Sequence, residues 1–256
     1  MNPRIAEVCN LHFRWPQAKV DWFQGINLRI EGGLLYGLLG RNGAGKTTLI
    51  KLICGLMKAT SGEVLLSAGR DGKSVYPRSP QNLAQVVFVP ETAQLPDLMP
   101  LEFSRLAGSL YPNYSQTEFQ ELLQGFEVKT DVRLGRLSFG QRRKVHISFA
   151  LATGAALVIL DEPTNGLDIS AQFTLRRLLK RYLTPQRSLL VSTHHVRELE
   201  QVIDEVIVLE KGKILVQENL ARLKTGPLLG GNIEEWYTNL IGLTDSFSSP
   251  ERNSHA

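Results

Sequence analysis

The sequence predicts an α/β fold, and three observations carry that prediction. The hydrophobic stretch LLYGLL (34–39) runs through a glycine-rich segment into Leu49, Ile50, Leu52, Ile53 and Leu56, which keep helical spacing and complete a strand, loop and helix unit. Late in the chain, the apolar runs ALVIL (156–160) and SLLVST (188–193) alternate with helical stretches, as strands of an α/β sheet do. Between these regions, from about residue 92 to 152, helices follow one another without strands, which predicts an inserted helical lobe.

The elements follow in order. INLRI (26–30) puts Ile26, Leu28 and Ile30 on one face, Gly32-Gly33 then turns the chain, and the start reads as a small antiparallel β subdomain. Ser61-Gly62 closes the first helical unit, VLLS (64–67) follows as a strand, and residues 68–80 read as a surface loop. QVVFVP (85–90) is a third strand. In the lobe, Ser115 and Glu118 form a capping-box pattern, and Phe119, Leu122, Leu123 and Phe126 make one apolar stripe that belongs to the core. A helix runs from Ser138 to about Ala152, and the next strand ends on Asp161-Glu162-Pro163. A helix from about Asp168 to Tyr182, the strand at 188–193, a short helix over Val196 to Ile203 and the hairpin VIVLEKGKILV (206–216) complete the pattern. We read residues 1–243 as one domain and 244–256, polar and rich in serine, as an unstructured tail.

Composition narrows the classes. The 256 residues are 43% apolar and 21% charged, values of a globular protein, which removes collagen-like, coiled-coil and disordered readings. A net charge of +4 is too small a bias to mark a nucleic-acid binder, so no nucleic-acid partner is expected. Cys9 and Cys54 form no CxxC pair, which speaks against a disulfide framework or structural zinc and fits a reducing compartment. Arg4, Glu7, His12 and Arg14 interrupt any leader-like apolar stretch. The most hydrophobic run, residues 149–160, reaches only about 18 Å as a helix, against about 30 Å of bilayer hydrocarbon.

Function is read first from GRNGAGKT (40–47), which satisfies GxxxxGK[ST] and lies between a hydrophobic strand and an amphipathic helix, where that motif works. Gly40, Gly43 and Gly45 let the backbone curl so that its N–H groups meet phosphate oxygens at a positive helix end. The candidate nucleotide-binding set is Gly40, Arg41, Asn42, Gly43, Ala44, Gly45, Lys46, Thr47 and Thr48. Lys46 is placed for the β- and γ-phosphates and Thr47 for Mg²⁺. Thr48 stands where a dinucleotide fingerprint needs its third glycine, which removes that reading. Asp161 and Glu162 at a strand end divide the remaining work, Asp161 for metal and Glu162 for polarising an attacking water.

LSFGQRRKV (137–145) resembles the signature, usually LSGGQ, that sets ATP-binding cassettes of ABC transporters apart from other P-loop ATPases. The resemblance covers nearly the whole chain in the family's order, with 20 residues from Gln141 to Asp161 and 33 from Asp161 to His194. It implies a RecA-like core with an antiparallel β subdomain and a helical lobe. It further implies a head-to-tail dimer, of identical or different cassettes, in which Ser138, Gly140 and Gln141 of one chain close over ATP held by the other. Ser138 at a helix start also reads as an N-cap. By the same resemblance His194 is the switch histidine, with His195 outside that role, and Asp168 is the D-loop aspartate, with helix capping as its compatible second reading. Trp15 is the aromatic that stacks on adenine, or else a packing residue of the small sheet.

Two positions depart from the pattern. Phe139 replaces the first signature glycine, and Glu91 stands where the family has a glutamine that ligates Mg²⁺ and senses the membrane partner, with Gln94 the only nearby substitute. A carboxylate oxygen can still ligate Mg²⁺, but it alters the local charge. The resemblance therefore implies an ATP-hydrolysing subunit held on the cytoplasmic face of the membrane by separate permease subunits, powering export, with the permease docking around residues 91–111 and Leu95, Leu98, Met99 and Phe103 either contacting it or packing the lobe. A soluble cassette in cofactor assembly is the alternative. The 91 residues from Lys46 to Leu137 exclude a long inserted coiled coil.

Overall fold

The computed structural model describes residues 2–66, 73–76, 79–92, 94–194, 196–225 and 233–246. The chain opens with β1 (Arg4–Phe13), β2 (Phe23–Glu31), β3 (Leu35–Leu39), α1 (Lys46–Ile53), β4 (Ser61–Leu66) and β5 (Lys73–Ser74). Strands β2, β1, β4 and β5 form an antiparallel sheet in that order, with Val8 opposite Leu28 and Val64. Ile26, Leu28 and Ile30 are all buried in it, as their alternation requires.

Ser61-Gly62 lies inside β4 instead of ahead of it. The reason is a bulge: the β1–β4 register shifts between Cys9 and His12, Gly62 sits at φ +77°, and a Cβ there would lie 2.2 Å from the Asn10 carbonyl. Only glycine continues the strand through that contact. Part of the expected loop at 68–80 is also ordered, since Lys73–Ser74 pairs with β4 and α2 (Pro80–Leu83) begins on Ser79, whose side chain accepts the Asn82 N–H.

After β6 (Val86–Val89) come α3 (Pro100–Gly108), α4 (Gln116–Gly125), a 3₁₀ turn at Leu134–Arg136 and α5 (Phe139–Ala152). These form the inserted lobe. Its core is built on Phe149, whose ring meets those of Phe103, Tyr111, Tyr114 and Phe119 at centroid distances of 5.1 to 6.5 Å. The stripe Phe119, Leu122, Leu123 and Phe126 is buried here. Ser115 caps α4 by accepting the Glu118 N–H, but the Glu118 carboxylate interacts with the Tyr182 hydroxyl, so the capping box is half made. Phe103, Leu95 and Leu98 pack against this core.

The α/β alternation resumes with β7 (Leu157–Asp161), α6 (Ile169–Arg181), β8 (Ser188–Thr193), α7 (Val196–Leu199), β9 (Glu205–Glu210), β10 (Lys213–Asn219), α8 (Leu220–Thr225) and α9 (Ile233–Ser246). The second sheet runs β10-β9-β3-β8-β7-β6, parallel except for β10 at its edge. Strands β3, β7 and β8 are buried at every position, which is why they read as continuous apolar runs rather than alternating ones. α7 is shorter than the helix expected to Ile203, because Asp204 turns back to accept the Leu35 N–H. α9 extends to Ser246, so the helix takes in the first three residues of the expected tail, 244–246. The rest of the tail and His195 lie outside the described residues. Among the described residues no helix is long and apolar enough to cross a membrane.

Candidate functional site

The order of the parallel sheet explains why motifs far apart in sequence meet. The glycine-rich loop leaves the end of β3, His194 follows β8, Glu162 follows β7 and Glu91 follows β6, and these four strands are consecutive neighbours. All four motifs therefore emerge at the carboxyl edge, where open α/β sheets form their binding crevices.

A cavity of about 350 Å³ opens there, lined by Trp15, Trp22, Arg41, Asn42, Gly43, Gly45, Lys46, Thr47, Thr48, Glu91, Asp161 and Glu162. Its floor is the 40–47 loop. Gly43 and Gly45 both adopt positive φ, +83° and +107°. At Gly45 a second constraint applies, since a Cβ would lie 2.7 Å from Trp22 Nε1 and 3.0 Å from the Phe23 ring. The turn between β9 and β10 braces the loop from behind, with the Gly212 N–H donating to the Ala44 carbonyl at 3.2 Å. Gly40 is held against the Leu209 carbonyl, which a Cβ would approach to 2.4 Å.

Lys46 is buried, and its Nζ donates to the Gly40 carbonyl at 2.6 Å while lying 4.0 Å from Glu162 Oε1. Burial holds its pKa below the ordinary lysine value, and Glu162, Asp161, Glu91 and Glu210 oppose that shift. Thr47 Oγ1 donates to Asp161 Oδ2 at 3.0 Å, and the buried Ser192 hydroxyl donates to the other carboxylate oxygen. Glu162 is buried, accepts the His194 N–H at 3.4 Å and contacts His194 Nδ1 at 2.7 Å. Its backbone sits at φ +46°, a conformation non-glycine residues rarely take. The Asn165 amide donates to Glu91 Oε1 at 2.9 Å, tying two loops at the cavity's edge.

Trp15, 45% exposed, lines the cavity and meets the Phe13 ring edge-on at 5.0 Å, so it packs on the small sheet and also faces the cavity. Trp22, 37% exposed, is a second aromatic wall that the sequence motifs did not point to. Its signal lay in its place at the start of a strand bordering the same sheet as Trp15.

Ser138, Gly140, Gln141 and Asp168 do not line this cavity. Ser138 is exposed and caps α5, accepting the Gln141 N–H at 3.2 Å. Gly140 lies against the Gly166 carbonyl, which a Cβ would approach to 2.4 Å. Phe139, 43% exposed, packs its ring over Gly166. Asp168 caps α6 by accepting the Ala171 N–H at 2.8 Å, and the buried Lys144 reaches it at 3.4 Å. The Ala171 N–H first and Lys144 after it hold the Asp168 carboxyl below its ordinary pKa.

The donors facing the cavity suit a hard cation: Thr47 Oγ1 and the carboxylates of Asp161 and Glu91 are all oxygens. Among the described residues no cluster of three or more His, Cys, Asp or Glu could hold a metal alone.

Fold and site together place the chain among the P-loop proteins of the α/β class. The family is narrower than the class: the ABC transporter family model matches residues 23–165, more than half of the sequence, and the chain belongs to that family. It is 33% identical over 199 residues to the Nod factor export ATP-binding protein I of Cupriavidus metallidurans, which covers 75% of this chain and 64% of that protein. The chain thus spans under two thirds of that relative's length. A solved structure described as the ATP binding subunit of an ABC transporter superposes with a TM-score of 0.83 at 27% identity, over 93% of this chain and 99% of the other. A dimeric, post-hydrolysis cassette bound to ADP and Pi shares the fold with a TM-score of 0.70 at 23% identity, over 84% of this chain and 99% of that one.

Proposed function

We propose that the chain binds and hydrolyses ATP and, as the motor subunit of an ABC transporter, powers export through separate membrane subunits. The observation that carries the reading is the placement of Glu162. Its carboxylate stands at the wall of the glycine-loop cavity, between the Lys46 ammonium at 4.0 Å and the His194 ring at 2.7 Å. In that position it takes a proton from water attacking the γ-phosphorus, and His194 orients the pair.

The loop N–H groups and Lys46 hold the phosphates, Lys46 exchanging its bond to the Gly40 carbonyl for phosphate oxygen. Trp15 and Trp22 take the base between aromatic faces. Thr47, Asp161 and Glu91 would hold a Mg²⁺ ion that, when bound with the nucleotide, would supply charge neutralisation. The outward-facing Ser138 and its helix start serve a nucleotide held by another cassette copy. The dimeric cassette of the same fold and the Nod factor export relative support these two halves of the reading.

For the membrane partner, support comes from a groove of about 400 Å³ lined by Cys54, Leu56, Pro80, Leu83, Val86, Phe88, Leu110 and Tyr111. Leu56 and Leu110 are exposed along it, whereas Leu95, Leu98 and Phe103 pack the lobe's own core. The proposed docking surface therefore centres on this groove, and Leu110→Glu is expected to abolish co-purification with the membrane subunit, whereas co-purification at the parent level would refute it. The catalytic reading is tested by phosphate release. Glu162→Gln, nearly the same shape, retains ATP binding and loses turnover by on the order of a hundredfold or more, while parent-rate hydrolysis by that variant refutes the base assignment.

A further inference from the structure

Arg143 lies on α5, five residues after the Ser138 cap, and is buried. Its guanidinium carries five N–H donors and has no acceptor. All five bonds go to backbone carbonyls, from two separate loops. Nη1 donates to Pro90 at 3.1 Å and to Glu91, Nη2 donates to Asp161 and Glu162, and Nε donates to Pro163 at 3.3 Å. The planar fork thus joins the end of β6 to the end of β7, and both to the helix that carries the signature. Its charge is balanced at longer range by the carboxylates of Glu91, Asp161 and Glu162.

One of those loops needs such a fastening. Glu162 holds φ +46°, and a residue in that region persists only where its surroundings over-determine it. Its N–H is fixed by the Ser192 carbonyl at 3.0 Å, and its carbonyl and that of Pro163 are fixed by Arg143. Arg143 does not line the nucleotide cavity, so it touches neither ligand nor reacting atoms.

We infer that Arg143 is a positioning residue for hydrolysis, a five-bond clamp that holds the Glu162 backbone in its left-handed conformation and fixes the Glu91 loop opposite it. The inference rests on Glu162 being the base. A lysine at 143 keeps the charge, but its three donors radiate from one nitrogen and cannot span both loops. A glutamine keeps part of the length and at most two donors.

The test compares Arg143→Lys and Arg143→Gln with the parent for melting temperature, affinity for a fluorescent ATP analogue, and KM and kcat for ATP. Both variants are expected to fold and to bind nucleotide within about threefold of the parent. Their loss falls on kcat, by on the order of a hundredfold for Arg143→Gln and less for Arg143→Lys. Because the clamp acts through Glu162, Arg143→Gln added to Glu162→Gln lowers the residual turnover no further. Parent kcat in either folded variant overturns the inference, as does a loss confined to KM or a full additional loss in the double variant. Failure of both single variants to fold assigns Arg143 to stability alone and overturns it equally. If Glu162→Gln by itself turns over at the parent rate, the base reading has failed instead, and the two failures are told apart.

Discussion

Two glycines of the phosphate loop allow a paired prediction, because each combines a positive φ with different surroundings. A Cβ added at Gly43, φ +83°, would meet nothing within 4 Å, whereas one added at Gly45, φ +107°, would lie 2.7 Å from Trp22 Nε1 and 3.0 Å from the Phe23 ring. Gly43→Ala therefore suffers backbone strain only, about 1–2 kcal/mol. Gly45→Ala suffers about 1–3 kcal/mol of backbone strain, with a further 1–3 kcal/mol or so from overpacking against two aromatic rings. Part of each penalty appears as lowered stability, and part as lowered ATP affinity if the loop relaxes out of its phosphate-binding shape. The assay is thermal melting and ATP titration of both variants, with about 1.4 kcal/mol read as each tenfold change in affinity. Summed over stability and affinity, Gly45→Ala is expected to lose about 1–3 kcal/mol more than Gly43→Ala, the overpacking contribution. Trp22→Ala, by removing one of the two rings, is expected to recover part of the difference. Equal behaviour of the two glycine variants would show that the contact with Trp22 and Phe23 does not shape the loop.

Other perturbations have equally definite outcomes. Lys46→Ala removes the ammonium that lies 4.0 Å from Glu162 Oε1, and ATP titration should show affinity down by at least tenfold with the fold retained. Ser192→Ala deprives the buried Asp161 carboxylate of a donor, and chemical denaturation should register about 1–3 kcal/mol of lost stability. Phe149→Ala empties the centre of the lobe's aromatic cluster and should lower stability by about 3–5 kcal/mol. His146 is held neutral by burial and by Arg143, its pKa lowered from 6.5 to about 4. Below 6.5 the unfolded chain takes up a proton that the folded chain refuses, so stability falls as pH drops from 6.5 towards 4, by up to about 1.4 kcal/mol per pH unit. A His146→Gln variant should lose less stability over that window, and an unchanged slope would remove His146 as the cause.

Much of the fold was legible because its signals are local. The apolar runs of β3, β7 and β8, the caps at Ser138 and Asp168 and the stripe from Phe119 to Phe126 each lie within a few residues of chain. The glycine loop and the Asp161-Glu162 pair were legible for the same reason. What escaped depends on which strands are neighbours. Nothing in LSFGQRRKV says that the second arginine turns inward to five carbonyls, since those carbonyls reach it only through the adjacency of β6 and β7. Ser192 and Trp22 escaped likewise, one meeting Asp161 across the β7–β8 pair and the other reaching the loop from the smaller sheet. The bulge at Gly62 hid for a further reason: a glycine that reads as a turn also permits a strand to pass a close backbone contact.

In the proposed motor, ATP is clasped between the lysine-bearing loop of one cassette and the Ser138 helix start of another. The most direct measurement is the mass of the Glu162→Gln chain by light scattering, with and without Mg²⁺ and ATP. Single chains are predicted without nucleotide and pairs with it, and pairing is lost when Ser138→Arg is added. A Glu162→Gln chain that binds ATP and stays single, alone and when mixed with a partner cassette, would contradict the claim.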